Sequence, residues 1–230
     1  MRWRSRGARP IRDTTNGMRQ PFSFWIALAC AGAAGLASLP ALAFTVSISN
    51  GTPRAIYLQV GVGSFSGLYN SGGTPQANPT VNVVSATVPT AVVGSGTAQS
   101  MASNTGATNS FYDNFVFCNA GQLYVGGFYR FNSNAGGAGA TLTANSASPM
   151  VNVSGQTIPM SQITWTSSGN GDSGAQPFPS GTFTGSGAQA IGTIARNQWA
   201  ESCMSFSYLN ATIQPAGTFT GTVTYTLTAP

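Results

Sequence analysis

Between Ser167 and Gly174 the chain reads Ser-Ser-Gly-Asn-Gly-Asp-Ser-Gly, and Gly171-Asp172-Ser173-Gly174 is a setting in which serine can act as a nucleophile. Such a serine needs a base of near-neutral pKa to take its proton, normally His. The chain contains no His, and no Lys to stand in for it. Ser, Gly, Asn and Asp fill the whole stretch, so it reads as a turn. Glycoside cleavage instead needs two carboxylates across one bond. Beyond the N-terminal region only Asp113, Asp172 and Glu201 are available. Asp113 and Glu201 lie near Cys118 and Cys203, so a disulfide between those cysteines would bring the two carboxylates together. The simpler reading gives each carboxylate an arginine to neutralise or a turn to cap, with no catalytic role. Two cysteines without His or clustered carboxylates cannot close a zinc site, so no metal is expected. The Gly-rich stretch Asn134 to Gly139 lacks the helix and Lys of a phosphate loop, and no cofactor is expected.

Aromatic residues offer binding rather than catalysis. Phe111, Tyr112, Phe115, Phe117, Tyr124, Phe128, Tyr129 and Phe131 crowd one segment. Strand alternation would bury some and expose others, and Tyr124 and Tyr129 are the candidate glycan contacts. The competing reading places such a cluster, beside a cysteine, in the core. Asn50, Asn152 and Asn210 fit a glycosylation sequon, a motif that arises by chance in so Asn/Ser/Thr-rich a chain.

The charge of the chain is concentrated at its start. Of nine arginines, six (Arg2, Arg4, Arg6, Arg9, Arg12 and Arg19) precede the apolar run PFSFWIALACAGAAGLASLP and Ala41-Leu42-Ala43. A basic region, an apolar run and a small-residue site describe a secretory signal peptide. Residues 1–43 are therefore predicted to be removed, with 1–17 a candidate start-site extension ahead of Met18. A retained membrane anchor and a lipoprotein cysteine at Cys30 are the competing readings. The remaining chain, 44–230, carries Arg54, Arg130, Arg196, Asp113, Asp172 and Glu201, which cancel. Nothing in it forms a basic patch, so nucleic acid is not an expected partner. Near-zero charge favours association and suits a protein that assembles. Cys118 and Cys203, in an exported chain, are predicted to form one disulfide.

The elements that would position these residues are strands. Leu, Glu and Lys are rare or absent, while Gly, Thr, Ser, Asn and Val dominate. Alternation predicts strands at 44–49, 55–60, 81–88, 111–118, 122–131 and in several later segments. The pair 111–118 and 122–131 reads as a hairpin around Asn119-Ala120-Gly121. The clearest strand is the last: from Thr218 to Thr228 every second residue is Thr, with Phe219, Gly221, Val223, Tyr225 and Leu227 between. Period two puts the threonines on one face and the apolar set on the other. Short strands separated by Gly, Pro and Asn predict one all-β sandwich over 44–230.

Pro215-Ala-Gly-Thr-Phe-Thr-Gly-Thr-Val-Thr-Tyr-Thr-Leu-Thr228 resembles the C-terminal strand of chaperone–usher pilins, above all the archaic, spore coat protein U-like group. The resemblance covers about fourteen residues. It implies an immunoglobulin-like, pilin-like sandwich lacking a strand, whose groove accepts a periplasmic chaperone and then the N-terminal strand of the next subunit. Phe44, Val46 and Ile48 would be the donor side chains. Phe219, Val223, Tyr225 and Leu227 would lie in the assembly strand. An outer-membrane usher and other pilin subunits would be partners, and the cell surface the location. The end at Ala229-Pro230 and the few residues between Ala43 and Asn50-Gly51 depart from the family pattern, so the first strand alternatively completes its own sheet. The chain is thus expected to be a pilin-like fibre subunit, or else a self-contained secreted binding module or adhesin.

Overall fold

Alternating apolar and polar residues, interrupted by turn formers, produce an all-β chain. A computed structural model describes residues 46–68, 77–132 and 137–230. The predicted leader 1–43, Phe44 and the first half of the Asn134–Gly139 stretch lie outside the described residues. The strands are β1 Val46–Ser47, β2 Ala55–Val60, β3 Gly63–Leu68, β4 Val84–Ser85, β5 Gln99–Ser103, β6 Leu123–Arg130, β7 Ala140–Asn145, β8 Met150–Val151, β9 Thr157–Ile158, β10 Ile163–Ser168, β11 Gly181–Thr182, β12 Ala188–Ile194, β13 Gln198–Tyr208 and β14 Thr224–Thr228.

The main sheet runs β11-β10-β13-β6-β2-β3. Its axis is β13, whose 11 residues are long enough to serve two partners on each edge. Residues 198–202 pair with β6 and 203–208 with β10. β1 joins at Trp199 and Gln198, and β5 joins at Phe206 to Tyr208. A second sheet runs β12-β7-β14, and β8 pairs with β9.

Period two sorts the side chains of the main sheet. Ile56, Leu58, Leu123, Val125, Tyr129, Ala200, Met204 and Phe206 share one buried core with Leu142, Ala144, Ile191, Ile194 and Leu227 of the second sheet. Each fully buried aliphatic or Phe side chain there contributes roughly 1.5–3 kcal/mol. Tyr57, Tyr124, Phe128, Trp199, Glu201 and Cys203 occupy the alternate positions of β2, β6 and β13 and so face the other way. Phe117, Cys118, Tyr124 and Cys203 form a second, smaller buried cluster on that outer face.

Three sequence expectations change. Of the predicted strand 81–88 only Val84–Ser85 pairs, with β5. Residues 111–118 are not a strand, so there is no hairpin with β6. Asp113 Oδ1 accepts from Phe115 N at 3.0 Å, Asn114 takes φ 64°, and Ser110 N donates to Phe115 O at 2.7 Å. These local bonds fold the segment back on itself, and it becomes a loop lying over the outer face. The last strand is also shorter than 218–228. Thr220 bridges to Val151, and a Cβ at Gly221 would crowd Met150 Cγ at 2.8 Å. The chain passes against Met150 there, and ladder pairing with β7 begins only at Thr224.

Candidate functional site

The chain ends were expected to carry assembly. Val46 pairs with Trp199, Ser47 with Gln198, and Ile48 N donates to Asn197 O at 2.8 Å. Val46 and Ile48 are half-buried against the chain's own β13. At the other end Leu227 is buried, while Phe219, Val223 and Tyr225 are half-buried and pack on the core. Thr218, Thr220, Thr222, Thr224 and Thr228 are exposed. The two-faced pattern therefore persists even where ladder pairing does not. β14 pairs with β7 alone, so among the described residues its other edge carries no strand. A cleft of ≈ 380 Å³ opens at the foot of β14 beside Asn145, Pro149, Thr220 and Thr224. Burial pushes the Tyr225 hydroxyl above its ordinary value.

The predicted disulfide is present, joining Cys118 to Cys203 across 85 residues. It staples the 108–118 loop to β13. Two positions earlier on the same face of β13 stands Glu201, 2% exposed. Its Oε2 accepts from Tyr124 Oη at 2.5 Å, Ser110 Oγ at 2.8 Å and Trp199 Nε1 at 2.8 Å. Three neutral donors on one oxygen offset the cost of burying the charge. Tyr124 Oη also accepts from Phe111 N at 3.3 Å, and Ser110 Oγ from Tyr112 N at 3.2 Å. The hydroxyl of Tyr124 is driven up by burial first, then by the Glu201 charge and hydrogen bond. Gly126, opposite Glu201 in the ladder, leaves the space the Tyr124 hydroxyl fills; a Cβ there would overlap it.

Tyr124 and Tyr129 are each 0% exposed, which overturns their assignment as glycan contacts. Tyr129 points into the core between the sheets. Tyr124 faces outward from β6, but the 108–118 loop covers it. Among the described residues the exposed aromatics are instead Phe111, Tyr112 and Phe115, with Val116 beside them. Taking 111–118 as a strand hid this, because local side-chain-to-backbone bonds outweigh apolar alternation there. Beneath the loop Tyr57 stacks with Phe111, Phe128 and Trp199 at 5.4, 5.7 and 5.6 Å.

The carboxylates occupy separate local networks. Glu201 clips the loop from beneath, Asp113 sits exposed and caps a turn, and Asp172 accepts from Gln176 Nε2 at 3.2 Å. Gly169 bridges to Asp172 around Asn170-Gly171, so the Gly-Asp-Ser-Gly stretch is the turn its composition predicted. Arg54 and Arg196 both lie over the Phe131 ring, at 4.0 and 4.4 Å. Asn210, 1% exposed, holds the 92–97 turn through Val92 O at 2.6 Å and Gly94 N at 2.8 Å. Asn152, 8% exposed, ties its own turn to Ser154 and Gln156. Among the described residues no helix is long and apolar enough to cross a membrane, and no group of three metal-ligating side chains occurs. No protein-family model, curated protein or solved structure shows detectable similarity to this chain.

Proposed function

We propose that the chain is an exported structural subunit of a cell-surface fibre, assembling by β-strand addition at β14 with no catalysis. The observation that carries this reading is the outer strand of the smaller sheet. β14 has an apolar inner face, a threonine outer face and one edge bearing no strand among the described residues. An added strand would gain backbone hydrogen bonds along that edge and bury alternate side chains beside Val223 and Tyr225. Phe44, Val46 and Ile48 of another copy supply the matching alternation. The hold on Val46 and Ser47 in their own chain is short, two ladder residues and one further bond. On this reading the two sheets are an incomplete immunoglobulin-like sandwich of pilin type, met in the periplasm by a chaperone and at the outer membrane by an usher. The test is export of the full chain to a bacterial periplasm, followed by unheated gel electrophoresis. A ladder of oligomers is expected, capped by excess peptide spanning Phe44–Ser49 and lost in V46R/I48R. A monodisperse monomer with one cooperative unfolding transition would end the fibre reading.

A second reading has its own support. β1 pairs within the chain, as a first strand completing its own sheet would, and an exposed aromatic loop stands on the outer face. These favour a self-contained secreted binding module.

A further inference from the structure

We infer that the loop carrying Phe111, Tyr112 and Asp113 is a binding surface for a neutral saccharide. The inference deepens the second reading and rests on it; strand addition at β14 involves the other sheet and has a separate readout.

Phe111 is 61% exposed and lies nearly flat on Tyr57, with ring centroids 5.4 Å apart and planes 19° apart. One ring face is backed, and the other is turned to solvent. Tyr112, 46% exposed, leans on Trp199 at 5.9 Å. Tyr57 and Trp199 are themselves buried and stack on each other, so the two exposed rings share an aromatic floor. An aromatic face is electron-rich, and the C–H face of a pyranose packs against it. In sequence between the rings and Phe115 stands Asp113, exposed. One carboxylate oxygen caps Phe115 N, which leaves the other to accept charge-assisted bonds from sugar hydroxyls.

The surface is held in place before any ligand arrives. Ser110 Oγ donates to Glu201, Phe111 N donates to Tyr124 Oη, and Phe117 N and Cys118 N both donate to Thr108 O. Preorganisation lowers the ordering cost of binding a small ligand. Asp113 is the only charged residue from 108 to 118, so an anionic sugar or phosphate finds no cation in the loop. Phe111, lying flat on Tyr57, does not project for insertion into lipid. Taking roughly 200 Å² per aromatic side chain, the exposed rings and Val116 present about 400 Å², half the about 800 Å² per partner of a stable protein pair.

The test is electrophoresis of the full chain through gels holding a β-glucan, an α-glucan or a galactomannan. Retardation in at least one gel is expected. Apparent affinity should fall about tenfold, equivalent to about 1.4 kcal/mol, in Y112A. It should also fall in D113N with an unchanged thermal midpoint. Retardation that survives in both Y112A and F111A would place the saccharide elsewhere, sinking this site while leaving the second reading standing. Absence of retardation in all three gels would remove both. Flotation with phosphatidylcholine vesicles, or a concentration-dependent dimer, lost in Y112A and unaccompanied by retardation, would assign the surface to lipid or to another copy.

Discussion

Glu201 shows how one residue sets the outer face. Its burial is tolerated because a single oxygen gathers three donors from β6, β13 and the loop. Replacing it with Gln removes the charge from those bonds, and hydrogen bonds to charged groups are worth roughly 1.5–3 kcal/mol. E201Q is therefore expected to lower unfolding free energy by about 2 kcal/mol in urea titration, with G126A lowering it as well by displacing the Tyr124 hydroxyl. The same neighbourhood contributes to the alkaline limit of stability, alongside the buried hydroxyls of Tyr208 and Tyr225 elsewhere. Burial pushes the Tyr57 hydroxyl up to about 12, partly offset by its hydrogen bond with Ser64, and Tyr124 is raised further. Unfolded tyrosines titrate near 10, so above that pH the unfolded chain gives up protons that the folded chain keeps. Stability then falls by up to about 1.4 kcal/mol per pH unit for each such tyrosine, and these groups add no slope below it. Urea midpoints measured from pH 8 to 12 should be flat to about 10 and then drop, less steeply in Y57F. A midpoint level through pH 12 would contradict this account.

At the scale of elements, the 108–118 loop and β14 depend on different forces. The loop is fastened by polar bonds and by Cys118–Cys203, whose 85-residue closure contributes about 4–5 kcal/mol in the chain-entropy model. Replacing both cysteines with Ala is expected to cost a comparable amount and to raise hydrogen exchange first in the loop and the adjoining part of β13. β14 is fastened by burial. Leu227, 2% exposed within the common core, should cost about 2–5 kcal/mol on truncation to Ala. Exposed Thr224→Ala should stay within about 0.5 kcal/mol. Equal effects of the two substitutions on the urea midpoint would mean that β14 does not pack as described.

Across the whole molecule, charge plays a small part and apolar packing a large one. Arg54, Arg130, Arg196, Asp113, Asp172 and Glu201 sum to zero over 44–230, and the buried carboxylate is held by neutral groups. Screening therefore has little to act on, and the unfolding midpoint is expected to move little between about 0.05 and 0.5 M sodium chloride. A large shift, measured by thermal scanning, would reveal an ion-pair network. Much of the framework was legible in advance: β2 matches the predicted 55–60, β6 lies within 122–131, and the alternation over 218–228 survives as alternating burial. β3, a Gly- and Ser-rich strand, was missed because its sequence has too few apolar residues to show a period. β13 is hard to read from sequence, since Glu201 and Ser202 inside it look like surface residues yet are buried.

By itself, the sequence determined the all-β class, the pairing of Cys118 with Cys203, the two-faced C-terminal segment and the turn at Asn170-Gly171. Each follows from local alternation, turn chemistry or the count of cysteines. Tertiary structure alone decided which aromatics meet solvent. Tyr124 and Phe111 are both aromatic residues of one crowded segment, but one lies beneath a loop and the other on top of it. That outcome depends on Ser110 and Glu201, 91 residues apart, meeting across β13. No local pattern encodes such a contact, because it is fixed by strand order and by the burial of a charge that must find donors.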